Sequence, residues 1–348
     1  VRIAVVGGGV AGSLLAWRLR EQSPDVLVDV LVGDPSTPDA SGASGGLVRA
    51  FETAPDACRI AAESLAEVRG SPMLREWTGY REVGAVYLLP EGVDPSASLR
   101  EVDDVLPGSA RVGTAARLAE DFGFRGLAPD AIGVVERCAG YISPALLRAH
   151  ALVWLAHNGC EVRRTVVSEV TPEGGLRLAD GTEHEYDVVV VAAGAWTPAL
   201  VPHGRTLRTK QIQYGVYRMR VPGLGAFVDE PTGLYGRPHG EGTFLLGLGC
   251  DRWDVDPAAV RPDAALADRV VSSARARFGV DVRHSSPREV VASFDCYREP
   301  SGLALLPIPG SSSVFTFTGG SGGAAKTVVG VSRHAARMLV RGLAGVAG

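Results

Sequence analysis

The chain alternates between two kinds of apolar pattern. Arg2–Val6 and Leu27–Val32 are short, continuous, β-branched runs, and between them Ser13–Arg20 carries its apolar residues on one helical face. The first 34 residues therefore predict strand, helix, strand, closing on Gly33-Asp34-Pro35. Cys58–Val68 predicts a helix, and Pro144–Asn158 a helix with an apolar face. Tyr186–Val191 predicts a strand buried on both sides, and Val314–Thr318 a strand that leads through glycines into a helix over Ala325–Leu343. Gly84–Leu89, Glu161–Val170 and Leu176–Leu178 read as strands, with Asp180-Gly181 as a hairpin turn. Gln211–Phe294 is strand-rich, with one helix over Ala264–Phe278. Helix-and-strand units at the start, middle and end are thus separated by two strand-rich insertions. That pattern predicts two interleaved domains, one of them a parallel sheet covered by helices.

Composition changes this picture little. With 348 residues, 46% hydrophobic and 21% charged, the chain is ordinary for a globular protein, which excludes a disordered, collagen-like or disulfide-scaffold protein. A net charge of −4 gives no reason to expect a nucleic-acid partner. No apolar run approaches the ~18 residues of a membrane span. The chain opens on a strand without a leader-like segment, and its five cysteines form no CxxC pair. The expectation is a cytoplasmic protein with reduced thiols and no metal site. One skew is informative: of 35 basic residues only Lys210 and Lys326 are lysines, as in a GC-rich bacterial coding bias. A lysine that survives such a bias is a candidate for being needed as lysine.

Chemistry enters with the glycines. Gly7-x-Gly9-x-x-Gly12 follows a strand and opens a helix, the context in which this spacing binds a dinucleotide. The first glycine makes the turn, the second lets backbone approach the pyrophosphate, and the third lets helix pack on strand, with the helix N-terminus facing the phosphate charge. Asp34, 22 residues past Gly12, is the candidate acid for the adenosine ribose, with Gly33 the alternative holder of that register. Thr318-Gly319-Gly320-Ser321-Gly322-Gly323 repeats the logic before the last helix, where bare backbone lets a large flat ligand come close. Val188–Val191 runs into Ala192-Ala193-Gly194-Ala195-Trp196, which fits either a sheet edge against a cofactor or a tight strand exit.

Five stretches together resemble the FAD-dependent oxidoreductases of the D-amino-acid oxidase superfamily, of the glycine oxidase and sarcosine oxidase type. They are the glycine entry, the loop Ser41–Arg49, Ala139–Pro144, Ala193–Trp196 and Gly319–Lys326. The resemblance implies FAD as cofactor. It also implies an α/β, Rossmann-like FAD-binding domain (1–78, 139–208 and 300–348) interleaved with a mixed, antiparallel-rich substrate domain (79–138 and 209–299). Gly7, Gly9, Gly12, Asp34, Ser44, Gly194, Gly320, Gly322 and Gly323 are the implied cofactor-binding positions. In sarcosine-oxidase-like enzymes an arginine and a lysine hold the substrate carboxylate, and Arg49 and Lys326 stand at the matching places. Arginine offers a planar fork to a carboxylate and lysine a compact second charge. The expected reaction is oxidation of a carboxylate-bearing amine, an amino acid or N-alkyl amino acid, at its C–N bond. The oligomeric state is left open.

This sequence departs from the family pattern twice. Leu245 stands where the oxidases carry an oxygen-activating lysine, and Lys210 is the one other lysine that could replace it. Cys296 lies one or two residues out of register with the cysteine that tethers flavin in sarcosine-oxidase relatives, and Arg298 beside it is a candidate for the substrate site. Tyr214, Tyr217, Tyr235 and His239 are further pocket candidates in the strand-rich region, with Tyr235 and His239 in a Gly- and Pro-rich stretch suited to the open face of the flavin. Two other readings keep the glycine loops: a 2-hydroxy-acid dehydrogenase with His239 as base, and a flavin-binding subunit without catalysis.

Overall fold

Two sheets divide the work of the chain. The computed structural model describes residues 1–34, 36–201, 207–279 and 287–346, so Pro35 of the predicted turn lies outside it. A six-stranded sheet runs in the order Ala304–Pro307, Val314–Thr318, Val188–Val191, Arg2–Val6, Leu27–Leu31, Glu161–Arg163, parallel throughout except at its first, edge pair. On one face Ile3, Val5, Val30 and Val190 pack against Leu14, Leu15 and Trp17 of the helix Val10–Gln22 and against Val328 and Val329 of the last helix, Ala324–Val346. On the other face Ala4, Val6, Val189 and Val191 meet Val167, Leu176 and Leu178 of a small antiparallel sheet. Strands buried on both sides can be apolar at every position, which is why Val188–Val191 has no polar alternation.

The expected strand Glu161–Val170 is two strands. Glu161–Arg163 extends the parallel sheet, and Val167–Val170 pairs with Gly175–Leu178 in the small one. Between them the Thr165 carbonyl accepts a hydrogen bond from the Gly33 N–H, which ends the first pairing. The stretch from 72 to 122 also holds three helices that period-2 runs do not announce: Pro72–Thr78, Ser96–Val105 and Ala115–Phe122.

The second sheet has eight strands, in the order Glu289–Arg298, Leu207–Arg218, Thr243–Gly247, Leu234–Gly240, Ala226–Asp229, Ala85–Leu88, Ile132–Glu136, Ala110–Thr114. Only the pair Ala226–Asp229 with Ala85–Leu88 is parallel. One face packs on the helix Ala264–Phe278 through Tyr217, Phe227, Phe244, Leu246, Val270 and Phe278. The other face turns toward the first domain. A fourth, short sheet of Leu47–Val48, Gly140–Tyr141 and Arg81–Glu82 holds the end of the loop Ser41–Arg49.

Candidate active site

The strand Arg2–Val6 ends in the first glycine turn. A Cβ on Gly12 would lie 2.0 Å from the Gly7 carbonyl oxygen, so the helix sits where only glycine allows it. Gly9 is open: a Cβ there would meet only the Ser41 hydroxyl, at 3.4 Å. The helix carries no acid in its first turn, and its Val10 N–H donates to Ser41 Oγ (2.9 Å). This terminus presents positive dipole and bare backbone to whatever approaches. Asp34 is exposed, three residues past its strand. Its carboxylate accepts from the Ser36 hydroxyl (2.7 Å) and N–H (2.8 Å), which hold it below the ordinary carboxylate range. Ser44 is half-buried, and its hydroxyl accepts from the Gly46 N–H (3.2 Å).

Two more strands of the same sheet end in glycine turns. Val188–Val191 leads into the turn Gly194–Trp196, and Val314–Thr318 into Ser321–Gly323. Both lean on the strand Glu289–Arg298: Trp196 packs edge-on against Phe294 (5.2 Å between ring centres), and Gly320 bridges to Tyr297. A Cβ on Gly322 would sit 3.2 Å from Asp295 Oδ2. Among the described residues Thr197 Oγ1, Ser293 Oγ and Asp295 Oδ2 are buried without a hydrogen-bond partner. Buried polar atoms are ordinarily paired, so these three, grouped around two glycine turns, fit a large polar ligand lying against them. Burial alone pushes the Asp295 carboxyl up to about 7.

The register of the eight-stranded sheet collects the remaining groups. Residues directly opposite one another point to the same face. Lys210 opposes Asp295, Ile212 opposes Ser293, and Tyr214 opposes both Val291 and Gly247. Gly247 opposes Tyr235, and Leu245 opposes Arg237. Across the parallel pair this face continues through Val228 and Ala226 to Tyr87, Ala85 and Glu136. The Tyr235 ring covers Gly247, where a Cβ would come within 2.3 Å of it, and its hydroxyl donates to the Gln213 carbonyl (3.4 Å). Leu245 is fully buried, 3.8 Å from the Cβ position of Gly45.

Of the other candidates Lys210 stays on this face and the rest fall elsewhere. Tyr217 points the opposite way, into the core under the helix. His239 is exposed at the bulged end of its strand. Lys210 lies over the rings of Trp253 (4.5 Å) and Tyr297 (5.6 Å). Cys296 alternates away from the Asp295 face, and burial raises its thiol above the ordinary range. Arg298 donates to the Gly302 carbonyl (3.3 Å) and packs beneath Gly319.

Arg49 and Lys326 do come together, and they converge on a carboxylate within the chain, that of Glu52. Arg49 Nη2 lies 3.2 Å from Glu52 Oε1, and Lys326 Nζ makes a short ion pair with the same oxygen. The Arg49 guanidinium lies over the Tyr87 ring (4.8 Å), and the Tyr87 hydroxyl donates to Glu230 (2.5 Å). Glu136, fully enclosed, accepts from the backbone N–H groups of Ala50 (2.7 Å) and Phe51 (2.9 Å) and so clamps the segment that carries both Arg49 and Glu52. Desolvation first, then the Arg49 charge, brings Lys326 down to about 8. Glu52, Glu136 and Arg237 belong to no motif. The one signal in the sequence was indirect: two buried cations at the start of a helix and the end of a loop require buried anions, and Glu52 is the nearest acid to Arg49.

The fold has known counterparts. It is similar to glycine oxidase from Bacillus cereus ATCC 14579, with 18% identity, 98% of this chain and 95% of that one covered, and a TM-score of 0.74. It is similar to L-proline dehydrogenase from P. horikoshii, with 15% identity, 98% and 93% covered, and a TM-score of 0.81. It is also similar to fructosyl amine:oxygen oxidoreductase (Amadoriase I) from Aspergillus fumigatus, with 17% identity, 98% and 86% covered, and a TM-score of 0.75. No curated protein sequence matches. The sequence model of the FAD dependent oxidoreductase (DAO) family matches residues 2–338, and the chain belongs to that family.

Proposed function

We propose that this FAD-dependent oxidoreductase oxidises an amine or amino acid at its C–N bond. The observation that carries the reading is the convergence of Arg49 and Lys326, from opposite ends of the chain, on one carboxylate beside the C-terminal glycine turn, where a Cβ on Gly323 would lie 3.4 Å from Lys326 Cε. Glu52 fills that cradle from within the chain, so a carboxylate-bearing molecule would either displace it or meet a further cation. The three structural neighbours, a glycine oxidase, an L-proline dehydrogenase and a fructosyl amine oxidoreductase, support the same class of substrate.

Gly7, Gly9 and Gly12 would hold the FAD pyrophosphate at the helix terminus. Gly194, Gly320, Gly322 and Gly323 would lie along the rest of the cofactor, with Thr197, Ser293 and Asp295 offering their unpaired polar atoms. Bound FAD supplies the two-electron acceptor. The chain supplies orientation and charge. Tyr214, Tyr235 and Leu245 wall the site and exclude water. Lys326, brought down to about 8, can hold or release a proton at Nζ near neutral pH, and Asp295, at about 7, can do so at Oδ2. The hydroxy-acid reading gains no support from His239, which is exposed at the bulged strand end.

The visible spectrum of the purified protein tests this, before and after amino and N-methyl amino acids are added under nitrogen and then air. A flavin band that an amine bleaches is the expected result, and its rate of return in air separates oxidase from dehydrogenase. A band that bleaches only with hydroxy acids, or with nothing, refutes the reading.

A further inference from the structure

The cations facing the site are not equivalent. Arg49 and Lys326 share Glu52, and Glu136 lies close enough to act on Lys326 electrostatically, so two positive charges are matched by two negative ones. Arg237 has no such match. It projects from Leu234–Gly240 on the same face, opposite Leu245, and reaches the loop Ser41–Arg49 from the sheet side. Its Nε donates to the Gly45 carbonyl (2.6 Å), its Nη1 to the Pro238 carbonyl (2.9 Å), and its guanidinium lies over the Tyr141 ring (4.3 Å). Among the described residues no carboxylate stands within ion-pair distance of it, and Nη2, which is not sealed from solvent, makes no hydrogen bond within the chain. Tyr141 and Tyr214 are the ionisable groups that face it.

A largely buried cation compensated by two carbonyl dipoles and a ring is costly to keep, and an anion restores the balance. The fork is already aimed: two of its nitrogens are fixed by backbone, which holds Nη2 in a set direction. The phenol of Tyr214 is near enough for the two groups to bias one another. We propose that Arg237 is the anion anchor of the substrate site, taking the substrate carboxylate at Nη2, while Glu52 keeps Arg49 and Lys326 occupied. The inference rests on the reading above, because it presumes a carboxylate-bearing amine. It moves the carboxylate from the pair that the sequence singled out to a residue that the sequence did not.

Acetate, with neutral acetamide as control, is the probe. FAD-loaded protein is titrated with each, and binding is read from the perturbation of the flavin band in wild type, Arg237→Gln, Arg237→Lys, Arg49→Gln and Lys326→Met. Losing a charged hydrogen bond should raise the acetate Kd about 10- to 100-fold in Arg237→Gln, leave acetamide unmoved, and be partly restored in Arg237→Lys. Phenylglyoxal labelling of the wild-type protein, mapped by mass spectrometry, gives a second readout that needs no variant: acetate should protect Arg237. An acetate Kd within twofold of wild type in Arg237→Gln, weakening confined to Arg49→Gln and Lys326→Met, protection of Arg49 alone, or no acetate binding to wild type would each overturn the assignment. Amine turnover with acetate binding indifferent to Arg237 defeats this inference alone. Acetate binding through Arg237 without amine turnover defeats the proposed reaction alone.

Discussion

The two faces of the eight-stranded sheet are made by alternate residues of the same strands, yet they differ in kind. The face under the helix Ala264–Phe278 is closed with Phe227, Phe244, Leu246 and Tyr217, packed among Phe124 and Phe278 at ring distances of 5.0 to 6.2 Å. The face toward the glycine turns carries Tyr214, Tyr235, Arg237, Glu136, Asp295 and Lys210, with Leu245 among them. The first arrangement is what a sheet does to fold. The second costs folding energy, because it buries ionisable groups with incomplete partners. The difference teaches how each strand is divided: close apolar packing comes from one side and buried ionisable groups from the other, so a single strand such as Leu207–Arg218 carries both.

Four substitutions sharpen or break that contrast. Phe227→Ala, on the packed face, should cost about 3–5 kcal/mol in urea unfolding, with the turnover of the surviving folded fraction close to wild type. A smaller cost would mean that this face is not the structural one. Gly247→Ala puts a methyl into the Tyr235 ring and should cost about 1–3 kcal/mol while lowering turnover more than stability explains. Equal loss of both would count against Tyr235 as a wall of the site. Asp295→Asn tests the cost of the other face through pH. The carboxyl is raised in the folded state to about 7, so the folded protein binds the extra proton between about pH 4 and 7, and wild type loses stability as pH rises through that window. The variant should therefore gain on wild type by up to about 1.4 kcal/mol per pH unit there. Lys326→Met has the opposite sign in a narrower window. Lys326 is depressed to about 8, so between about pH 8 and 10.5 the unfolded chain holds the proton and wild type gains on the variant as pH rises. Urea midpoints across pH 4–10 measure both slopes, and a flat difference in either case would show that group to be solvated.

How much of this was legible in the sequence follows from the range of the forces. Local signals were clear. The Gly7–Gly12 turn, the four-valine strand and the strand–glycine–helix close were readable because each is fixed by neighbours in sequence. The meeting of Arg49 with Lys326 was legible only through family resemblance. Glu52 as their shared partner was not, because an ion pair across the whole chain leaves no spacing to read. Arg237 was hidden for another reason: its meaning lies in what it lacks, a counter-charge, and only packing reveals that. The break in Glu161–Val170 was missed because one apolar run cannot say which of two sheets its halves will join.

The order of the six-stranded sheet has a consequence for the protein while it is being made. Arg2–Val6 leaves the ribosome well before one of its sheet neighbours, Val188–Val191, and that strand in turn waits for Val314–Thr318. At ordinary translation rates of ~5–20 residues per second, the opening strand and its glycine turn spend on the order of tens of seconds without their full sheet. Until Thr318 emerges, the nascent chain presents apolar edges that it cannot cover itself, so its yield in a cell should depend on holding chaperones more than the stability of the finished fold suggests.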